Sequence, residues 1–89
     1  MNIYLISQNQ NNGYDTYDSA VVVAKDESIA ATLRPSDGKV MSDADWKYRY
    51  SSWCSNPSKV NVELIGLAKM GMEQGLICSS FNAGLYTAD

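Results

Sequence analysis

The apolar residues of the chain fall into four short clusters, which predict four β-strands at residues 3–6, 20–24, 60–66 and 76–81. The third cluster alternates, with Val60, Val62 and Leu64 on one face and polar residues between them. The three consecutive valines at 21–23 indicate a strand that is buried on both faces. Polar turn signals such as Asn12-Gly13 separate the clusters.

One short helix is predicted between the second and third strands. Asp26 is a suitable N-cap because its carboxylate can accept hydrogen bonds from free amides of the first helical turn. Ile29, Ala30 and Leu33 follow at helical spacing, and Pro35 predicts that the helix ends at Arg34.

The segment from residue 36 to residue 57 supports two interpretations. Ser42 and Asp45 have the spacing of a capping box, which predicts a short helix. Trp46, Tyr48 and Tyr50 alternate with other residues, which is instead the period of a strand. The pattern leaves both interpretations open.

The order of elements predicts a single α+β domain over residues 1–89, with a small antiparallel sheet of about four strands and one short helix packed on it. The connection between Gly66 and Gly75 is short, so the last two strands are expected to form a hairpin. Because a small sheet leaves edges to cover, we also expect a homo-oligomer.

Charge argues against direct DNA binding. The formal net charge is −3, whereas a nucleic-acid surface needs a basic face. Residues 34–59 are different, because they hold five basic and three acidic residues, a net charge of +2. Any surface that attracts anions is therefore expected in this middle segment.

Catalytic and metal sites are not predicted, and neither is a cofactor. The chain has no histidine, no Cys-x-x-Cys and no glycine-rich phosphate loop. The pairs Asp15/Asp18 and Asp43/Asp45 are interpreted as turn and capping carboxylates. Cys54 and Cys78 are expected to be reduced core residues. The sequence shows no signal peptide and no membrane span, which predicts a cytoplasmic protein without a membrane partner.

Two segments are candidates for binding. The first combines aromatic and basic side chains, namely Trp46, Lys47, Tyr48, Arg49, Tyr50 and Trp53. Aromatic faces stack on bases and cations pair with phosphates, but the same residue types also anchor protein interfaces or build a core. If this segment is the site, Arg49→Ala removes binding and leaves the fold intact. The second candidate is the polar loop at residues 9–17, with Asn12, Tyr14 and Tyr17.

Residues 4–8, 12–22, 53–54 and 77–84 resemble a group of small orphan proteins from tailed phages and prophages. The resemblance carries over no functional residue. It implies a phage context, in which small acidic proteins often inhibit host defence as anti-CRISPR proteins do.

The sequence is compatible with three functions. The first is stoichiometric inhibition of a host defence protein, which needs an exposed aromatic and polar patch. The second is a sponge for a cyclic nucleotide or related immune signal, which needs an aromatic-lined pocket with a cation. The third, an enzyme, is disfavoured by the absence of histidine and of catalytic motifs. Saturable quenching of tryptophan fluorescence by nucleotides would favour the sponge.

Overall fold

Four antiparallel strands form one open sheet in the computed structural model, which describes residues 1–47 and 52–82. The strands are β1 (Asn2–Ser7), β2 (Thr16–Ala24), β3 (Asn61–Leu67) and β4 (Gly75–Asn82). Each coincides with one of the four predicted apolar clusters, except that Val60 precedes β3, so the predicted antiparallel sheet is confirmed. Its spatial order is β3-β1-β2-β4, with β1 and β2 in the centre.

The predicted hairpin between the last two strands is wrong. β3 pairs with β1, as in the pair Ile6 and Val62, whereas β4 pairs with β2, as in the pair Val21 and Cys78. These strands lie on opposite edges of the sheet, and residues 68–74 cross the end of the sheet between them. Three strand spacings amount to about 14 Å, which seven extended residues can span. The short connection was therefore compatible with either arrangement.

Two short α-helices and a 3₁₀ turn connect the strands: α1 (Glu27–Ala30), α2 (Asp43–Lys47) and Pro57–Lys59. The predicted caps are present. The Asp26 carboxylate accepts a hydrogen bond from the Ile29 amide at 3.0 Å, and Ser42 and Asp45 form the reciprocal bonds of a capping box. The helical interpretation therefore holds for residues 43–47. The prediction of one helix was incomplete, since α2 is a second one.

Helix α1 ends four residues before the predicted stop at Arg34. The amides of Thr32 and Leu33 bond to carbonyls three residues earlier, and the chain then turns into a short antiparallel bridge between Leu33 and Val40. The Met41 amide donates to the Thr32 carbonyl at 2.8 Å within this bridge. Pairing with the following segment thus replaces the last helical turn.

The core lies on one face of the sheet. Alternate residues of the two central strands supply it, namely Tyr4, Ile6, Ala20, Val22 and Ala24. Residues from the α1 region and the middle segment cover them, namely Ala30, Leu33, Met41, Trp53 and Cys54. The face of β2 that is turned away from this core holds Val21 and Val23, and Val23 is also buried. Burial on both faces of the valine strand is thus confirmed at Val22 and Val23.

The two cysteines differ in environment, and the prediction that both are core residues is wrong for Cys78. Both thiols are free. Cys54 is buried, and this burial raises the pKa of its thiol. Cys78 is exposed because it belongs to edge strand β4 and pairs with Val21, on the face turned away from the core. Sequence pattern alone did not distinguish the two positions.

Candidate functional site

The loop between β1 and β2, residues 8–15, is built around the side chain of Gln8. This side chain is 6% exposed, and its carbonyl oxygen accepts hydrogen bonds from the amides of Gln10 and Asn11 at 2.9 and 2.8 Å. Its amide nitrogen donates to the carbonyls of Asn11 and Tyr17 at 2.7 and 3.0 Å. Both ends of the buried amide are thus satisfied, and they fix the path of the loop backbone.

The second half of this loop is held against the end of β4. The Asp15 amide donates to the Asn82 carbonyl at 2.5 Å, and the Asn82 side chain donates to the Gly13 carbonyl at 3.0 Å. Asp15 has a φ of 62°, a left-handed conformation that aspartate tolerates better than most residues. The buried Thr16 hydroxyl also donates to Gly13. The loop is therefore ordered at both ends.

The β1–β2 loop is also joined to the segment that follows residue 51. The Asn11 side chain donates to the Trp53 carbonyl at 3.2 Å, and the Ser55 amide donates to Gln10 Oε1 at 2.7 Å. The Tyr17 amide donates to the Ser52 carbonyl at 2.8 Å. These three hydrogen bonds bring the two candidate binding regions of the sequence into contact at one end of the sheet.

An open cleft of about 510 Å³ lies at this end of the molecule. Its lining combines the β1–β2 loop with the 3₁₀ turn and the start of β3, namely Asn9, Gln10, Ser58, Lys59 and Asn61. The turn is capped by Asn56, whose side chain accepts hydrogen bonds from the amide and the hydroxyl of Ser58. We call the cleft residues together with Asn12 and Tyr14 the amide surface.

The predicted residues of the β1–β2 loop occupy different environments. Tyr14 is 60% exposed, and Asn12 is exposed with its side-chain nitrogen directed to the Asn9 carbonyls. Tyr17 is half-buried and its ring packs against Phe81 with centroids 4.7 Å apart. Asn12 and Tyr14 are thus available to a partner, whereas Tyr17 supports the loop.

The predicted aromatic and basic segment is described only in part. Trp53 is 2% exposed in the core, and Trp46 is half-buried against the same cluster. Tyr48, Arg49 and Tyr50 lie outside the described residues, as does the side chain of Lys47. The two indole rings therefore pack as core residues and do not line the cleft.

Charges of the middle segment are partly neutralised within the fold. Arg34 forms salt bridges with Asp45 at 3.0 Å and with Asp37 at 3.6 Å. The hydrogen bond from the Ser42 amide, together with Arg34, holds the pKa of the Asp45 carboxyl below its ordinary value. Asp45 is thus a capping carboxylate, as predicted. Lys59 lines the cleft and makes no salt bridge with any residue that the structure describes.

Gln8 and Lys59 were not among the binding residues predicted from the sequence. A signal for Gln8 was present, because it continues the alternation of the buried residues Tyr4 and Ile6. A polar residue at such a position needs internal partners, and Gln8 finds them in its own loop. Lys59 carried no comparable signal, since the cleft forms only when distant segments meet.

Within residues 1–47 and 52–82, no helix is long and apolar enough to cross a membrane. The same residues contain no group of three or more histidine, cysteine or acidic side chains arranged to hold a metal ion. Comparison of the chain with models of known protein families, with curated proteins and with solved structures finds no match to any of them.

Proposed function

We propose that this chain is a non-enzymatic protein that acts by stoichiometric binding of a partner protein through the amide surface. The observation that carries the proposal is the Gln8 network, which fixes the β1–β2 loop before any partner arrives. A preorganised loop loses less conformational entropy on binding than a flexible one. The net free energy of binding to a partner is therefore more favourable than it would be for a flexible loop.

The residue types of the amide surface also support a protein partner. Asparagine, serine and tyrosine are the types that antibody loops use, because they combine adaptable hydrogen bonds with large contact areas. Tyr14 is exposed over 60% of its surface and supplies the anchor. By the resemblance to small phage proteins, we propose that the partner belongs to a bacterial defence system and is bound in the bacterial cytoplasm.

The nucleotide sponge receives less support. It requires aromatic faces beside a cation, but the described cleft is lined by five polar residues. Trp53 is buried, and Trp46 packs against the core. Lys59 is a cation in the cleft, yet no aromatic ring accompanies it among the described lining residues. A protein partner therefore fits the described residues better.

We expect Tyr14→Ala to weaken binding of a captured partner at least tenfold, because an exposed tyrosine at an interface is a typical hot spot. Its melting temperature should match the parent's, since Tyr14 is 60% exposed. Calorimetric titration of the variant measures both stoichiometry and affinity. Lys69→Gln, an exposed position in the 68–74 connection, is the control and should bind like the parent.

The same titration on Arg49→Ala distinguishes the amide surface from the aromatic and basic segment. If Arg49→Ala removes binding while Tyr14→Ala retains it, the site lies on the segment and the proposal is wrong. If both weaken binding, the contact surface extends from the loop to the segment. That outcome agrees with the hydrogen bond between Tyr17 and Ser52.

We propose in addition that the chain forms a homo-oligomer through an edge of its sheet. Strand β4 has no charged residue and exposes Ile77 and Phe81 by 45% and 46%, whereas β3 carries Glu63. An uncharged edge strand lacks a common protection against pairing with a second copy. Light scattering should give a mass that is a multiple of 9.8 kDa. A strict monomer at micromolar concentration would contradict this.

A further inference from the structure

We infer that the open cleft of the amide surface binds a carboxylate group, an aspartate or glutamate side chain presented by the partner protein. The inference rests on the proposed function and makes it more specific. It follows from which hydrogen-bonding groups of the cleft are already used within the fold and which remain. The residues concerned are Asn9, Gln10 and Lys59, all of which line the cleft.

The acceptor oxygen of each of the two amide side chains already accepts one hydrogen bond within the fold. Gln10 Oε1 accepts the hydrogen bond from the Ser55 amide at 2.7 Å, and Asn9 Oδ1 accepts one from the Asn12 side chain at 3.2 Å. A backbone amide can only donate, so the bond to Ser55 fixes which end of the Gln10 amide faces it. Each oxygen thus has one internal partner and keeps one of its two acceptor sites.

The amide nitrogens on the same side chains remain. Each carries two N–H groups, and neither Asn9 Nδ2 nor Gln10 Nε2 donates to any residue in the described part of the chain. The exposed Lys59 ammonium adds three further donors and a positive charge. The described lining contains no acidic residue, and N–H donors outnumber acceptor sites in the cleft even when the side-chain oxygens of Ser58 and Asn61 are included.

A surplus of donors around one cation is complementary to an oxyanion. Hydrogen bonds to a charged acceptor are stronger than those between neutral groups. One lysine balances the single charge of a carboxylate. A phosphate carries more charge and is usually held by arginine forks or by several cations. The described lining of the cleft contains no arginine. A carboxylate is therefore the better match.

The test is an NMR titration of the isolated protein with a short glutamate-containing peptide, blocked at both ends so that the side chain is its one carboxylate, and with its blocked glutamine counterpart. We expect the glutamate peptide to shift the side-chain amide signals of Asn9 and Gln10, and the glutamine peptide to shift them far less. Lys59→Gln should weaken binding of the glutamate peptide about tenfold. Lys69→Gln, the matched control beyond the far end of β3, should leave the titration unchanged.

Equal shifts with the two peptides, or an unchanged titration in Lys59→Gln, would overturn the inference. Tighter binding of inorganic phosphate than of the glutamate peptide would also overturn it, because the cleft would then select phosphate. These outcomes do not depend on the identity of the partner. The inference can therefore fail while Tyr14→Ala still shows that a partner binds, and it can hold if no partner is captured.

Discussion

Replacing Trp53 by alanine should lower the free energy of unfolding by about 3–5 kcal/mol, the usual cost of deleting a large buried aromatic side chain. Trp53 is 2% exposed and packs in the core with residues of the two central strands. Domains of this kind are stable by about 5–15 kcal/mol in total. The variant should therefore lose a large part of its stability, which urea denaturation followed by circular dichroism measures.

Trp53→Phe separates the ring from its N–H group. Trp53 Nε1 is buried and has no hydrogen-bond partner in the described structure, so tryptophan carries an unsatisfied donor there. Phenylalanine removes this donor and keeps most of the apolar ring, and it should cost clearly less than alanine. Tyr14→Ala serves as the exposed aromatic control and should change stability by less than about 0.5 kcal/mol. A cost below about 1 kcal/mol for Trp53→Ala would contradict the core placement.

Gly38→Ala should destabilise the fold by about 2–4 kcal/mol, from a left-handed backbone and from overpacking. Gly38 has a φ of 74° and is buried against the start of β4. A β-carbon at this position would meet Leu76 N and would lie 2.8 Å from both Gly75 C and Leu76 Cβ. The backbone atoms cannot move aside without disturbing the sheet, so the strain cannot be relieved locally.

Gly13→Ala is the matched control for Gly38→Ala. A β-carbon at Gly13 would meet no other atom within 4 Å, and the φ of Gly13 is not in the positive region that disfavours alanine. Its unfolding free energy should stay within about 0.5 kcal/mol of the parent's. Equal stability of Gly38→Ala and Gly13→Ala would contradict the packing of the 34–41 segment against β4. The same denaturation series measures both variants.

Local features of the fold were predictable from the sequence because local interactions determine them. Val62 and Leu64 of the predicted alternation lie in β3, and the caps at Asp26 and Ser42 formed as predicted. The pairing of β3 and β4 was not predictable in this way. Strand order depends on contacts between distant segments, and a short connection permits a hairpin or a crossing.

The environments of single side chains depended on the same long-range order. The apolar pattern around Cys78 predicts a core residue, but Cys78 is exposed because β4 lies at an edge of the sheet. From the sequence alone, Trp53 could be either a binding residue or a core residue. In the fold it packs against residues of the central strands, so it is a core residue. Burial is thus a property of the assembled sheet rather than of a strand pattern.

The loop of the candidate site was predictable from the sequence, but its cleft was not. Asn12 and Tyr14 stood out because amides and a tyrosine surround a strong turn signal. The cleft also needs the 3₁₀ turn, which the Gln10–Ser55 hydrogen bond joins to the loop across 45 positions of sequence. No local pattern relates these two residues, so Lys59 gained its position in the site only through the fold.

The central claim is that the chain binds one protein through the amide surface. The most direct measurement is capture from a bacterial lysate with the parent, with the double variant Tyr14→Ala/Lys59→Glu and with Lys69→Gln, followed by mass spectrometry of proteins and small molecules. We predict one protein in nearly equimolar amount with the parent and Lys69→Gln, and its loss with the double variant. A bound nucleotide without a protein, or the same proteins with all three baits, would contradict the claim.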